Sequence, residues 1–406
     1  MPALTCPSAV RGLGRIAFVA RGRLELVDLS SCQVRRLARG KAWSPQFSPN
    51  GRWLAYSHAA PDHSGSPVVV SAEGGTARAP LGPGIEIWWW GPAGATLYGV
   101  NHRGQLIGAD PDGGGGRVRI LAGGARTFAG AAGASPDGRQ VATDSSGCIP
   151  LGFALDTVAV GSGAQRVAVS RRASLSTFAG FSPDGRWLLY WARSECSASL
   201  SADGWPLDAV PVGGGRVPAR AVAHMLLYPD FLTWCGGRLI AASTPSRESQ
   251  LGSRLVATGP PGWRQRTIAP DRRLSWVSPT CAPSGSLLAA TAGLSSPHSE
   301  FGIQHRSIWL LSPTGKIVRR LTTPPASDLS DESPRFSGNG RWILFVRTRV
   351  ITVVSGSTSR DTLELVSTAS TRPAVTVPIA TFTSNDVSFF DHFQWPSEIA
   401  WSAAAR

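Results

Sequence analysis

The chain has 406 residues, of which 42% are hydrophobic and 16% charged. A single compact core stops growing at about 250–300 residues, so the chain is either two domains or a stack of small repeats; 46 glycines and 31 prolines spread along it favour many short strands and turns. The net charge is +14, but Lys41 and Lys316 are the only lysines among 40 basic residues, which stand singly or in pairs such as Arg171-Arg172. That dispersal argues against a nucleic-acid partner, and no apolar run reaches the length of a membrane-spanning helix.

In chain order, residues 1–13 read as an extension. They carry no charged region followed by an apolar stretch and so do not read as a signal peptide. Residues 14–38, "GRIAFVARGRLELVDLSSCQVRRLA", hold three short strands. A phrase then recurs: "SPNG" at 48–51, "GPAG" at 91–94, "SPDG" at 135–138 and 182–185, "WCGG" at 234–237, "APSG" at 282–285, "SGNG" at 337–340 and "WPSE" at 395–398. Successive copies lie 43 to 58 residues apart. A period near 40–50 with four strands per unit is the mark of a β-propeller.

Each unit has the same content. A first strand ends at the phrase. A second follows it, as in "RWLAYS", "RQVATD", "RWLLYW" and "RWILFV". A third comes after a variable loop, and a fourth after a Gly-rich turn such as "AEGG" or "VGGG". In Ser-Pro-Asp-Gly, Pro presets φ, Asp or Asn bonds the backbone two residues on, and Gly takes the left-handed position that a twisted hairpin needs. The three strands of 14–38 lack a first strand, which 391–402 would supply to close the ring and leave no edge unpaired. The expectation is an all-β fold, one propeller domain over 1–406, with four-stranded antiparallel blades. Eight blades are expected, or seven if the unit at 85–125 or 229–268 is not a blade.

"FSPDGRWLLY" and "FSPNGRWLAY", with the following Gly-Gly turn, resemble the WD-repeat-like units of the TolB-like propeller family. The resemblance implies a propeller fold. Its members serve as periplasmic protein-binding scaffolds, as surface proteins and as gating domains of prolyl-oligopeptidase-like peptidases. The chain departs from the peptidases in lacking a GxSxG elbow, and from TolB in lacking an N-terminal α/β domain.

The six cysteines, at 6, 32, 148, 196, 235 and 281, show no zinc spacing. An even count without metal spacing points to disulfides and an extracytoplasmic, oxidising compartment. Neighbouring positions in the repeat pair Cys6 with Cys32, Cys148 with Cys196 and Cys235 with Cys281.

The turns between first and second strands are uniformly tight, whereas the connections on the other face are long: 57–66, 144–152, 192–205, 243–252, 292–306 and 347–360. Elaborated loops mark the expected binding face. There, His58, Asp62 and His63 share one loop and His298, Glu300 and His305 another. Asp230, Asp328, Asp331, Glu332 and Asp391 precede or begin innermost strands and would ring the channel mouth. Both groups are expected as binding residues; no catalytic set, metal site or cofactor is expected. The functional expectation is a monomeric, non-catalytic propeller that binds a protein or peptide. A hydrolase or lyase acting at the channel mouth, and a carbohydrate- or cell-wall-binding module, are the alternatives.

Overall fold

The structure is a computed structural model. It describes residues 6–402 except 39, 60–64, 113–117, 123–131, 145–152, 160–164, 172–174, 194–203, 213–219, 245–251, 270, 272, 295–303, 354–355, 370–374 and 385–394.

Antiparallel sheets follow one another along the chain. The first joins Ile399–Ser402, Arg15–Ala20, Arg23–Asp28 and Gln33–Arg36. The second holds Ala42–Phe47, Trp53–Ala59 and Gly65–Ser71. The third runs from Ile85–Trp90 to Arg119–Ala122, the fourth from Ala132–Ala134 to Gln165–Arg171, and the fifth from Leu175–Phe181 to Arg220–Leu226. The sixth runs from Leu232–Cys235 to Arg266–Thr267, the seventh from Leu274–Cys281 to Ile317–Arg320, and the eighth from Ser330–Phe336 to Thr376–Ser384.

Seven of these sheets are complete four-stranded blades; the second has three strands, and a single bridge, Val69 to Arg78, stands where a fourth would lie. The number of complete blades among the described residues is therefore seven, the alternative count. The two units in doubt, 85–125 and 229–268, are both four-stranded.

The ring closes as the repeat requires. Ile399–Ser402 pairs with Arg15–Ala20, from Arg15↔Ser402 to Phe18↔Ile399. The core lies between neighbouring blades. One buried cluster joins Ile16 and Phe18 of the first sheet to Leu344 and Leu363 of the eighth, and another joins Ala289 and Ile308 of the seventh to Ile343 and Phe345 of the eighth. This sandwiching explains the run Trp88-Trp89-Trp90. Alternate side chains face opposite sides of a strand, so Trp88 and Trp90 reach back to the second sheet, donating to Ser57 Oγ at 2.9 Å and to the Gln46 carbonyl at 3.0 Å. Trp89 turns the other way and stacks on Tyr98.

The recurring turns share one hydrogen-bond pattern. Ser182 Oγ donates to Asp184 Oδ1 and accepts from the Trp187 amide at 3.0 Å, while the Arg186 amide donates to Asp184 at 3.1 Å. Ser48 with Asn50, Ser135 with Asp137, and Ser337 with Asn339 repeat it. Gly185 closes its turn at φ +69° beside Pro136 of the preceding turn.

One loop expectation is corrected. Residues 347–360, read as a variable loop, continue the ladder instead: Trp342–Val353 and Gly356–Ser367 pair without a break from Trp342↔Ser367 to Val353↔Gly356.

Candidate functional site

Three innermost strands carry the same irregularity. Ser44-Pro45, Ser278-Pro279 and Ser333-Pro334 each fall where the ladder skips, between Trp43 and Gln46, Val277 and Thr280, and Glu332 and Arg335. The three serines have φ of +51°, +48° and +50°. A residue before proline is ordinarily extended, and a left-handed non-glycine costs about 1–3 kcal/mol. Bulges of this kind re-aim side chains. Here the residue after each proline restarts the ladder.

Two of these bulges, with the 3-10 turn Pro229–Phe231 and the strand Leu232–Cys235, line a cavity of about 290 Å³ beside the inner strands. Its polar lining comes from three consecutive blades: Asp230 and Thr233, Ser278 and Thr280, Ser333 and Arg335. Arg335 is packed round by protein yet keeps part of its surface open to the cavity. Burial lowers its pKa, and the charge of Asp230 works against that shift. Its guanidinium makes no hydrogen bond or ion pair with another described residue. Ser278 Oγ lies 3.4 Å from Asp230 Oδ2. Ser333 Oγ is buried and has no hydrogen-bond partner among the described residues.

Of the carboxylates expected at the mouth, Asp230 alone among the described ones lines this cavity. Asp331 is fully buried and held by Arg347. Glu332 is buried against Arg306 of the preceding blade, Nη1 to Oε1 at 2.9 Å. The first pair ties strands within the eighth blade, and the second joins the seventh blade to the eighth. Asp328 pairs with Arg349 on the surface at 2.7 Å, and Asp391 lies outside the described residues.

The histidine loops are not brought together. His58 sits on the second sheet, its ring against Gly40 and edge-on to Tyr56. His305 is exposed on the seventh, at φ +51°. Asp62, His63, His298 and Glu300 lie outside the described residues, and no group of metal-ligating side chains occurs among the described ones. The disulfides Cys6–Cys32 and Cys235–Cys281 are present, with Cα separations of 5.7 and 5.4 Å; Cys148 and Cys196 lie outside the described residues.

Arg335, Ser333 and Ser278 were not among the expected site residues. Their signal is a second phrase four residues ahead of the first: "SPQFSPNG" from 44, "SPTCAPSG" from 278 and "SPRFSGNG" from 333.

No family model matches the chain, and no curated protein is similar to it. Solved structures are. The dihydro-heme d1 dehydrogenase NirN superposes with a TM-score of 0.60 at 17% identity, over 95% of this chain and 77% of that one. A prolyl endopeptidase gives 0.53 at 13%, over 86% of this chain and 51% of its own, so this chain spans about half its length. The oligogalacturonate lyase of Vibrio parahaemolyticus gives 0.50 at 12%, over 82% and 93%. TolB of Acinetobacter baumannii aligns at a TM-score of 0.40. At these identities the likeness is one of fold: a β-propeller. It corrects the reading as a non-catalytic scaffold for a protein or peptide, because propellers of this shape include a dehydrogenase, an endopeptidase and a lyase.

Proposed function

We propose that this propeller binds a small polar molecule in the cavity between the inner strands of the sixth, seventh and eighth sheets, outside the cytoplasm. One observation carries the reading: the guanidinium of Arg335 faces the cavity and no described residue hydrogen-bonds to it. Buried polar groups ordinarily find partners, and each one left without costs about 1–3 kcal/mol. A ligand with polar atoms supplies them. Two strained serines holding the wall fit the same view, because backbone strain persists where the surrounding structure over-determines it. The disulfides support the location, and no helix among the described residues is long and apolar enough to cross a membrane.

A screen of small polar metabolites by thermal shift tests this. Compounds that raise the unfolding temperature of the wild type are expected to lose the effect in Thr280→Trp, which fills the cavity. Hits that stabilise both proteins equally would overturn the cavity assignment.

A further inference from the structure

Resting on that reading, we propose that the ligand carries a single carboxylate, received by Arg335. Arginine offers five N–H donors in a planar fork that matches two carboxylate oxygens. Three other arginines in or beside the eighth sheet each hold a carboxylate: Arg306 holds Glu332, Arg347 holds Asp331 and Glu364, and Arg349 holds Asp328. Arg335, on an inner strand of the same sheet, holds none among the described residues and faces a cavity instead.

A cation packed round by protein and without a hydrogen-bonded counter-charge is costly. Burial bears on it in that direction, lowering its pKa. An incoming carboxylate removes the cost by supplying charge and two acceptors together. Ser333 lines the same cavity, two residues before Arg335, with its hydroxyl oxygen under the surface.

Asp230 sets the charge limit. It lines the same cavity from the sixth blade, and its field reaches Arg335. It opposes a second negative charge on the ligand, so one carboxylate fits where a phosphate dianion does not. The volume, about 290 Å³, suits a small organic acid.

The test is titration of carbon-13-labelled acetate, followed by its NMR line width, against the wild type, Arg335→Met, Arg335→Lys and the exposed-arginine control Arg103→Met. Acetate should broaden with the wild type and with Arg103→Met. Its affinity should fall about tenfold or more in Arg335→Met. Arg335→Lys keeps the charge and loses the fork, so it should fall in the same direction even if the methionine variant does not fold. Inorganic phosphate should compete poorly. Equal binding by the wild type and Arg335→Lys, or competition by phosphate as strong as by unlabelled acetate, would overturn the carboxylate assignment. If acetate fails while neutral compounds from the screen still lose their effect in Thr280→Trp, the cavity stands and the charge assignment alone falls.

Discussion

Arg347 donates from Nε to Asp331 Oδ1 at 2.7 Å and from Nη2 to Oδ2 at 3.0 Å, across directly paired positions of two neighbouring strands. Its Nη1 reaches Glu364 on the next strand at 3.0 Å, so one guanidinium binds three strands of the eighth blade. Burial pushes both carboxyls up and Arg347 pulls them back. Arg347→Ala leaves two buried carboxylates without their cation. The expected loss is about 3–5 kcal/mol, read from denaturant unfolding. Arg347→Met combined with Asp331→Leu and Glu364→Leu should lose less, because no charge is then left buried alone.

The recurring turns predict an acid response. Hydrogen bonds from Ser182 and Ser135 hold Asp184 and Asp137 below the usual carboxylate range. A carboxylate lowered by folding contributes its full stabilisation above its unfolded pKa, about 3.9, and loses it as pH falls through the lower folded value. Asn50 and Asn339 make the same bonds without titrating. Asp184→Asn with Asp137→Asn should therefore keep the neutral-pH urea midpoint and flatten its decline below about pH 4. An unchanged decline would place the acid sensitivity elsewhere.

The disulfide Cys235–Cys281 joins the inner-strand ends of the sixth and seventh blades across 46 residues. Closing a loop of that length removes about 4 kcal/mol of unfolded-chain entropy. Cys235→Ser with Cys281→Ser should lower stability by an amount of that order and leave the Cys6–Cys32 bond intact, as intact mass with and without reduction would show.

Ring closure rests on a short strand. Trp401 Nε1 donates to the Leu13 carbonyl at 2.9 Å, and Ile399 is buried with Ile16 and Phe18. Ile399→Ala should cost about 2–5 kcal/mol while the ring stays closed. Removing residues 399–406 should do more, because it bares the edge of Arg15–Ala20. Size-exclusion chromatography of that truncation should show association that Ile399→Ala does not.

The blades could be read from the residues because their signals are local. The turn phrase needs only Pro, Asp or Asn, and Gly at fixed offsets, and the strands beside it need only apolar runs. The turns at 48–51, 135–138, 182–185 and 337–340 therefore appear where the repeat puts them, and the closing strand follows from the missing first strand of 14–38. The cysteine pairs 6–32 and 235–281 follow from repeat register in the same way. Residues 347–360 mislead when judged by length alone; the β-branched run Val350-Ile351-Thr352-Val353-Val354 followed by Ser355-Gly356 is itself a hairpin signal.

The candidate site was not legible in that way. Asp331, Glu332 and Asp230 look alike in sequence, each close to the start of an inner strand. Only packing separates them: Arg347 and Arg306 reach the first two from other strands, whereas Asp230, beside Ser278, lines the cavity. Arg335 is one of 40 basic residues until the bulge at Ser333-Pro334 brings it to the cavity. Which charges are neutralised depends on partners distant in sequence, so local chemistry specifies the ring of blades and the tertiary structure decides which of its polar groups line the cavity.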